Sequence, residues 1–223
     1  MKNLNLTGCT SFTAKGIISL IESCQNIQAL ELGNTNVDDS VLGTILLFEM
    51  SQLISFFKTE KLVELDRDLN TLYVENTQVT DVGFVAYCDS AMNLHYISLE
   101  ETKITDASIQ ALSERKSNKP PKILWKFLVS DVYYLYLSKC PGLTDACLPT
   151  IFETDVSVLD ISYNNFSSEA LDKVFSNDET EHSDLYNLII DGLDVSEDSV
   201  NKILEGKRLP FYKLNTYTTY ELI

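Results

Sequence analysis

One short unit recurs from one end of the chain to the other, and it constrains the fold more than any other feature of the sequence. The copy LYLSKCPGLTDACLPTIF at 135–152 contains a Leu-x-Leu segment, a loop with Pro and Gly, a Thr-Asp helix start and an apolar helix. We define the first apolar residue of the Leu-x-Leu segment as the anchor of each copy. The anchors are Leu4, Leu30, Leu72, Ile97, Leu135, Leu159, Leu188 and Leu214. Subtraction gives spacings of 26, 42, 25, 38, 24, 29 and 26 residues, and a period of roughly 20–50 residues is typical of repeat architectures.

The residues around the anchors predict one strand and one helix per unit. An apolar residue stands three positions before each anchor and, in all copies but the last, another stands two positions after it. A capping residue then precedes apolar residues at three- and four-residue spacing, which is typical of a helix. Acids in the first turn of such a helix are favourable for the helix dipole. The predicted caps are Thr80, Thr105, Thr144, Ser167 and Ser196, and the first-turn acids are Asp81, Asp106 and Asp145.

A small polar residue stands five positions after most anchors, where the strand turns into the loop. Its side chain is predicted to pair with backbone groups that would otherwise be buried without a partner. These residues are Cys9, Thr35, Thr77, Thr102, Cys140 and Asn164. Leu193 breaks the column, which predicts an irregular turn in the seventh unit.

The repeats resemble those of leucine-rich-repeat proteins. LNLTGC at 4–9, LYVENTQVTDVGF at 72–84 and LYLSKCPGLTDACL at 135–148 are similar to the cysteine-containing subclass of F-box ubiquitin-ligase receptors. LDISYNNFSSEAL at 159–171 is more similar to the ribonuclease-inhibitor subclass. The resemblance implies an α/β fold, a right-handed solenoid or horseshoe with a parallel sheet on its concave face and helices on its convex face. It implies one domain, 1–223, of about seven or eight repeats.

Two segments interrupt the repeat pattern, near 47–68 and near 114–131. The first adds about one helix to its unit. The second concentrates five of the 17 Lys and Arg residues in one loop, namely Arg115, Lys116, Lys119, Lys122 and Lys126. This basic loop is interpreted either as a secondary docking site or as a solvated excursion anchored by Trp125.

The charge of the chain restricts its partners. A formal net charge of −16 repels nucleic-acid phosphates and anionic lipids, so we expect no nucleic-acid or membrane partner and favour a basic protein surface. No segment has the layout of a secretion signal, which favours an intracellular protein, cytoplasmic or nuclear. The five cysteines lack paired spacing and are predicted to be reduced, packed thiols.

The sequence carries no recognisable catalytic or metal-binding motif. Its two histidines, His95 and His182, fall in different units. It also lacks a glycine-rich phosphate loop and the pairs His-x-x-x-His and Cys-x-x-Cys. We therefore expect no enzymatic activity, no metal and no cofactor.

A group of tyrosines and acids is predicted to share the concave face. Strand side chains alternate, so residues one before, one after and three after each inward-pointing anchor project to the other side. These residues include Tyr73, Glu75, Tyr96, Glu100, Tyr134, Tyr136 and Asp160. Tyrosine offers a large contact area with a polar tip and carboxylates attract cations, so we predict that this surface binds a basic or Arg-containing segment of another protein. The alternative is that the tyrosines stand there through β-propensity alone.

These features together indicate a non-catalytic protein-interaction module. The resemblance implies substrate recognition in a ubiquitin ligase, with contacts to a Skp-type adaptor made in trans or by sequence missing from this chain. The alternative is a regulatory scaffold of the ribonuclease-inhibitor or Ran GTPase-activating type. The chain begins inside a predicted strand and ends on TYTTYELI. We expect one of three explanations for the uncovered end strands: an absent flanking domain, a truncated gene model, or a partner that covers them.

Overall fold

The computed structural model describes most of the predicted repeats. It covers residues 2–24, 27–45, 69–88, 94–114, 132–154, 156–176, 185, 187–199, 201 and 213–215. The predicted insertion at 47–68 lies outside the described residues. So does the basic loop with Arg115, Lys116, Lys119, Lys122 and Lys126.

Eight short strands form one parallel sheet, and their order in the sheet is their order in the chain. The anchor is the central residue of every strand, and all the anchors are paired in register across the sheet. The predicted alignment of the copies is therefore confirmed, including across the two long spacings. The strands are β1 (Asn3–Asn5), β2 (Ala29–Glu31), β3 (Thr71–Tyr73), β4 (Tyr96–Ser98), β5 (Tyr134–Tyr136), β6 (Val158–Asp160), β7 (Asn187–Ile189) and β8 (Lys213–Asn215).

Helices follow the strands, so the fold belongs to the α/β class. The predicted caps are confirmed, because each of the five hydroxyls accepts a hydrogen bond of 3.2 or 3.3 Å from a backbone N–H in the first turn. None of the described helices is long and apolar enough to cross a membrane. The helices are Ala14–Ser23, 39–45, Asp81–Cys88, Asp106–Glu114, the 3-10 turn Asp145–Cys147 continuing into Leu148–Phe152, and Ser168–Phe175, and residues 197–199 and 201 are also helical.

The hydrophobic core lies between the sheet and the helices. The anchors from Leu30 to Leu188 are at most 2% exposed. The apolar residues two positions after them are buried as well, and helix residues such as Ile17, Phe84 and Ile109 belong to the same cluster. Burial of each Leu or Ile stabilises the fold by about 1.5–3 kcal/mol, so the repeated Leu-x-Leu pattern is the main source of stability.

In four units, the polar residue five positions after the anchor closes the strand turn, as predicted. The hydroxyls of Thr35, Thr77 and Thr102 donate to the carbonyl oxygens three residues earlier, at 2.6–2.7 Å. Asn164 links two units, because its amide nitrogen donates to the Leu137 and Ile161 carbonyls while its amide oxygen accepts from the backbone N–H of the fifth unit's Cys140. These side chains therefore satisfy backbone groups of the turns.

In each of the seven described turns, the residue four positions after the anchor adopts the left-handed backbone conformation. Gly and Asn do so readily, whereas other residues do so at a cost of about 1–2 kcal/mol. The turn after β7 follows the same path, so the irregularity expected from Leu193 is wrong, and Leu193 packs against the core instead. The φ angles are 49–76° at Gly8, Asn34, Asn76, Glu101, Lys139, Tyr163 and Gly192.

A series of aspartates joins the N-termini of five successive helices, from the helix at 39–45 to Ser168–Phe175. Asp81 accepts hydrogen bonds from the backbone N–H and the hydroxyl of Thr105, at 2.8 and 2.6 Å. The first-turn acids were predicted only to interact with the helix dipole, but they also fix the position of the following unit. We name this series the aspartate ladder, and it consists of the pairs Asp39–Thr80, Asp81–Thr105, Asp106–Thr144 and Asp145–Ser167.

Candidate functional site

The predicted binding residues lie on the face of the sheet opposite the buried anchors, which we call the open face. Tyr96 and Tyr134 stand one position before their anchors and are paired in register. One position after the anchors, the register runs from β3 to β6 through Tyr73, Ser98, Tyr136 and Asp160. Glu75 and Glu100 stand three positions after their anchors. The structure thus places all seven predicted residues on or directly after four adjacent strands, and each of them is half-buried.

Two aromatic pairs stand where β4 and β5 begin, and the Tyr96–Tyr134 pair belongs to the open face. The rings of Tyr96 and Tyr134 stack with their centroids 4.6 Å apart and an interplanar angle of 17°. The rings of His95 and Tyr133 stack beside them at 5.1 Å, and Tyr133 is 44% exposed. Paired residues of neighbouring strands are about 4.8 Å apart, which suits ring stacking. The rings of His95 and Tyr96 also meet edge to face, with their centroids 6.4 Å apart, so the two pairs adjoin each other.

Tyr73 and Tyr136 stand on either side of a much smaller residue, Ser98. The register pairs Ser98 with both tyrosines, so it occupies the strand between them. Ser98 is 5% exposed, and its hydroxyl oxygen has no hydrogen-bond partner among the described residues. Glu100 follows two residues later on the same segment.

Tyr73 and Tyr136 are neutral phenols at physiological pH. Burial raises the pKa of Tyr73, and the neighbouring carboxylates, Glu31 foremost, raise it further. Burial also raises the pKa of Tyr136, with smaller effects from Tyr73 and other neighbours. The rings therefore offer uncharged aromatic faces to a ligand.

Burial and mutual repulsion act on the carboxylates of the open face. Burial raises the pKa of Glu100, and Asp160 and Glu75 add to this effect, although the hydroxyl of Ser138 donates a 2.7 Å hydrogen bond that opposes it. Burial likewise raises the pKa of Asp160. Across the described part of the chain, no Lys or Arg pairs with Glu75, Glu100 or Asp160. The nearby Lys139 pairs with Glu101 instead, its Nζ 2.6 Å from Oε1.

Glu75 is held by close packing against a glycine of the neighbouring turn. A Cβ atom added at Gly33 would collide with the Glu75 side chain, so the glycine leaves room for this carboxylate. One carboxylate oxygen of Glu75 is buried without a hydrogen-bond partner among the described residues. This acid is therefore positioned at the open face by shape rather than by a bonding partner.

Sequence reasoning missed three parts of this site: the His95–Tyr133 pair, the buried Ser98 hydroxyl and the role of Gly33. The alignment of the anchors already put Ser98 between Tyr73 and Tyr136, so this alternation of large and small side chains was visible in the sequence. The unpaired hydroxyl and the fit of Glu75 depend on packing distances that periodicity does not supply.

The chemistry available on the open face is non-covalent attraction of a cation. Aromatic faces and half-buried carboxylates both favour a positively charged group. Within the described residues, no group of three or more His, Cys, Asp or Glu is placed to hold a metal ion. None of the five cysteines, which all lie within the described residues, forms a disulfide. Burial raises the pKa of the Cys140 thiol to about 11, so this thiol is protonated at neutral pH.

Comparison with protein-family models and with curated proteins found no match to this chain. The residues and geometry of the open face are therefore the basis for a functional proposal.

Proposed function

We propose that this chain is a non-catalytic protein-interaction module that binds a basic segment of a partner on its open face. The observation that carries the proposal is the set of half-buried carboxylates around stacked tyrosines, without a pairing Lys or Arg among the described residues. Tyrosines are enriched at the centres of interfaces, and complementary charge steers a partner to its site. The net charge of −16 extends this attraction for a basic partner beyond direct contact.

The architecture we propose for the whole chain is a right-handed leucine-rich-repeat solenoid with the open face as its concave side. This is supported by the parallel strands in chain order, by the in-register anchors and by the aspartate ladder between successive units. Stacked repeats of this kind present extended concave surfaces to their ligands.

The role we propose for the module is substrate recognition in a ubiquitin ligase, with a Skp-type adaptor bound in trans. It is supported by the resemblance of the segments at 4–9, 72–84 and 135–148 to cysteine-containing repeats. The segment at 159–171 supports the alternative, a regulatory scaffold of the ribonuclease-inhibitor or Ran GTPase-activating type. Co-purification with a Skp-type adaptor and a cullin would favour the first role, and acceleration of GTP hydrolysis would favour the second.

The binding proposal is tested with the double variant Tyr73→Ala/Tyr136→Ala. Tagged wild-type chain retrieves partners from cell extract, and synthetic peptides from their basic segments are then titrated by fluorescence anisotropy. Truncation of interface hot spots costs about 2 kcal/mol or more, so the double variant is expected to lose at least about tenfold in affinity.

The matched control is Tyr163→Ala, because Tyr163 is 53% exposed and lies in a turn outside the predicted set. The control is expected to keep the wild-type affinity. Equal binding by wild type and by a folded double variant would contradict the proposal.

A further inference from the structure

The junction between the first and second units lacks a contact that the later described junctions share. Helices are described in the first seven units, which gives six junctions between successive units. At five of these junctions a capping hydroxyl donates a hydrogen bond to an aspartate of the preceding unit, and we call each such bond a rung. The rungs are the four pairs of the aspartate ladder and a fifth pair, Asp172–Ser196.

Both groups that a rung needs are missing at the first junction. Each acid of the aspartate ladder stands directly after the cap of its helix, but Ala14 follows the first cap, Thr13, and carries no carboxylate. The cap of the next helix is Asp38, which accepts a 3.0 Å hydrogen bond from the Ser40 N–H and has no hydroxyl to donate. Residue type alone therefore prevents a rung between these two helices.

The contacts that remain at the first junction are backbone pairs and exposed side-chain bonds. The Leu6 N–H donates to the Glu31 carbonyl oxygen at 2.8 Å, as part of the sheet. The Asn36 amide nitrogen donates to the Thr10 carbonyl oxygen at 2.8 Å, and the Asn5 amide nitrogen donates to the Glu31 carboxylate. Water competes for the exposed groups of both side-chain bonds. The junction thus keeps the sheet pairing common to all units but lacks the rung.

The first strand is also packed less completely than the others. Leu4 is 8% exposed, whereas the anchors from Leu30 to Leu188 are at most 2% exposed. Leu6, two positions after its anchor, is only partly buried, and the residues at the same position in the next six units are at most 1% exposed. Since stabilisation by apolar side chains is proportional to the area they bury, the first unit gains less from the core.

We infer that the first unit opens from the second as a separate segment while the units from the second onward stay folded. The stability of a repeat array is the sum of terms for each unit and each junction, so local opening occurs at the weakest junction. The missing rung weakens the first junction whatever lies against the outer edge of β1. Opening uncovers the edge of β2, together with Leu30 and Leu32, and an uncovered edge is able to pair with another strand.

The experiment is native-state hydrogen exchange of the full chain, followed by NMR at single amides. The Leu6 and Ala29 N–H groups bond across the first junction, to Glu31 and Lys2. The Leu99 and Leu137 N–H groups bond across later junctions that carry rungs. We expect protection factors at Leu6 and Ala29 to be at least about 100-fold lower than those at Leu99 and Leu137.

A rung installed at the first junction separates this inference from simple fraying of an end strand. The double variant Ala14→Asp/Asp38→Thr supplies the missing carboxylate and hydroxyl, and threonine still caps the helix. We expect it to slow exchange at Leu6 and Ala29 by about tenfold and to leave Leu99 unchanged. The matched controls are the single variants, and the effect of the double variant should exceed the product of their effects by at least about fivefold.

Two results would overturn the inference. One is protection of Leu6 and Ala29 equal to that of Leu99 and Leu137, which would show that the first unit does not open separately. The other is a double variant whose effect on exchange is no larger than the product of the single effects, which would show that a rung is not what the junction lacks. Circular dichroism verifies that every variant is folded.

Discussion

Removal of one rung of the aspartate ladder gives the sharpest test of how the units are held together. The Asp81 carboxylate accepts hydrogen bonds from the Thr105 N–H at 2.8 Å, from the Thr105 hydroxyl at 2.6 Å and from the Ser108 hydroxyl at 2.6 Å. Asp81→Ala leaves these three donors without their acceptor. Ser108 is fully buried, whereas Thr105 is half-buried and regains water in part.

The expected loss of stability follows from the number and burial of these hydrogen bonds. A hydrogen bond to a charged group contributes about 1.5–3 kcal/mol. After allowing for water at Thr105, we expect Asp81→Ala to lower the free energy of unfolding by about 2–4 kcal/mol. This corresponds to a fall in Tm of roughly 4–16 °C for a chain of this size.

The assay is thermal and urea unfolding followed by circular dichroism, with Asp194→Ala as the matched control. Asp194 is exposed and forms no hydrogen bond within the described residues, so its removal should change stability by less than about 0.5 kcal/mol. An Asp81→Ala chain as stable as the control would refute the structural role of the ladder.

The pH dependence of the stability difference between wild type and Asp81→Ala gives an independent check. Burial acts to raise the pKa of Asp81, but the bonds from Ser108 and Thr105 outweigh it, so the pKa lies below its ordinary value of 3.8. The folded state therefore favours the charged form. The advantage of wild type over Asp81→Ala is complete above the ordinary pKa, and it is expected to disappear as the pH falls through the lower folded value.

Three further predictions concern the open face, two glycines and a cysteine. The pKa of Glu100 lies above its ordinary value of 4.5, so Glu100→Gln should raise the urea unfolding midpoint at about pH 7. This advantage should be lost below about pH 4. A midpoint at pH 7 lower than that of wild type would contradict the prediction. Gly142→Ala pushes Cβ against the Ile104 carbonyl oxygen and should cost about 1–3 kcal/mol. In contrast, the Cβ atom added by Gly43→Ala meets no atom within 4 Å, so this variant should gain about 0.5–1 kcal/mol of stability in its helix. Equal Tm values for the two glycine variants would refute this prediction. Because burial raises the pKa of Cys140 to about 11, iodoacetamide at about pH 8 should modify it in the unfolded chain but not in the native one, as measured by peptide mass spectrometry.

The strands were predictable because one strong signal determines them. A Leu-x-Leu segment puts two apolar side chains on the same face of a strand, and only one register buries them all. The anchors therefore fixed the pairing even between Leu30 and Leu72, where the spacing gave no help. The capping hydroxyls were equally visible, since Ser and Thr before an apolar helix have one common role.

The turns and the ladder were not predictable from residue type. The left-handed residue of three units is Glu101, Lys139 or Tyr163, none of which signals that conformation as Gly or Asn does. An aspartate in the first turn of a helix is expected for the dipole alone. Its second role, for example that of Asp106 toward Thr144, depends on the distance between units.

Two classes of carboxylate therefore stand on opposite sides of the sheet, and their environments separate a structural role from a binding role. On the helix side, Asp81 receives several hydrogen bonds and its pKa is lowered. On the open face, burial raises the pKa of Glu100 and Asp160, so their charges oppose folding at neutral pH. Loss of a ladder acid should weaken the fold, whereas loss of Glu100 should stabilise it and weaken binding of the proposed basic segment. Opposite signs of this kind are expected when a group serves a ligand at the expense of the folded state.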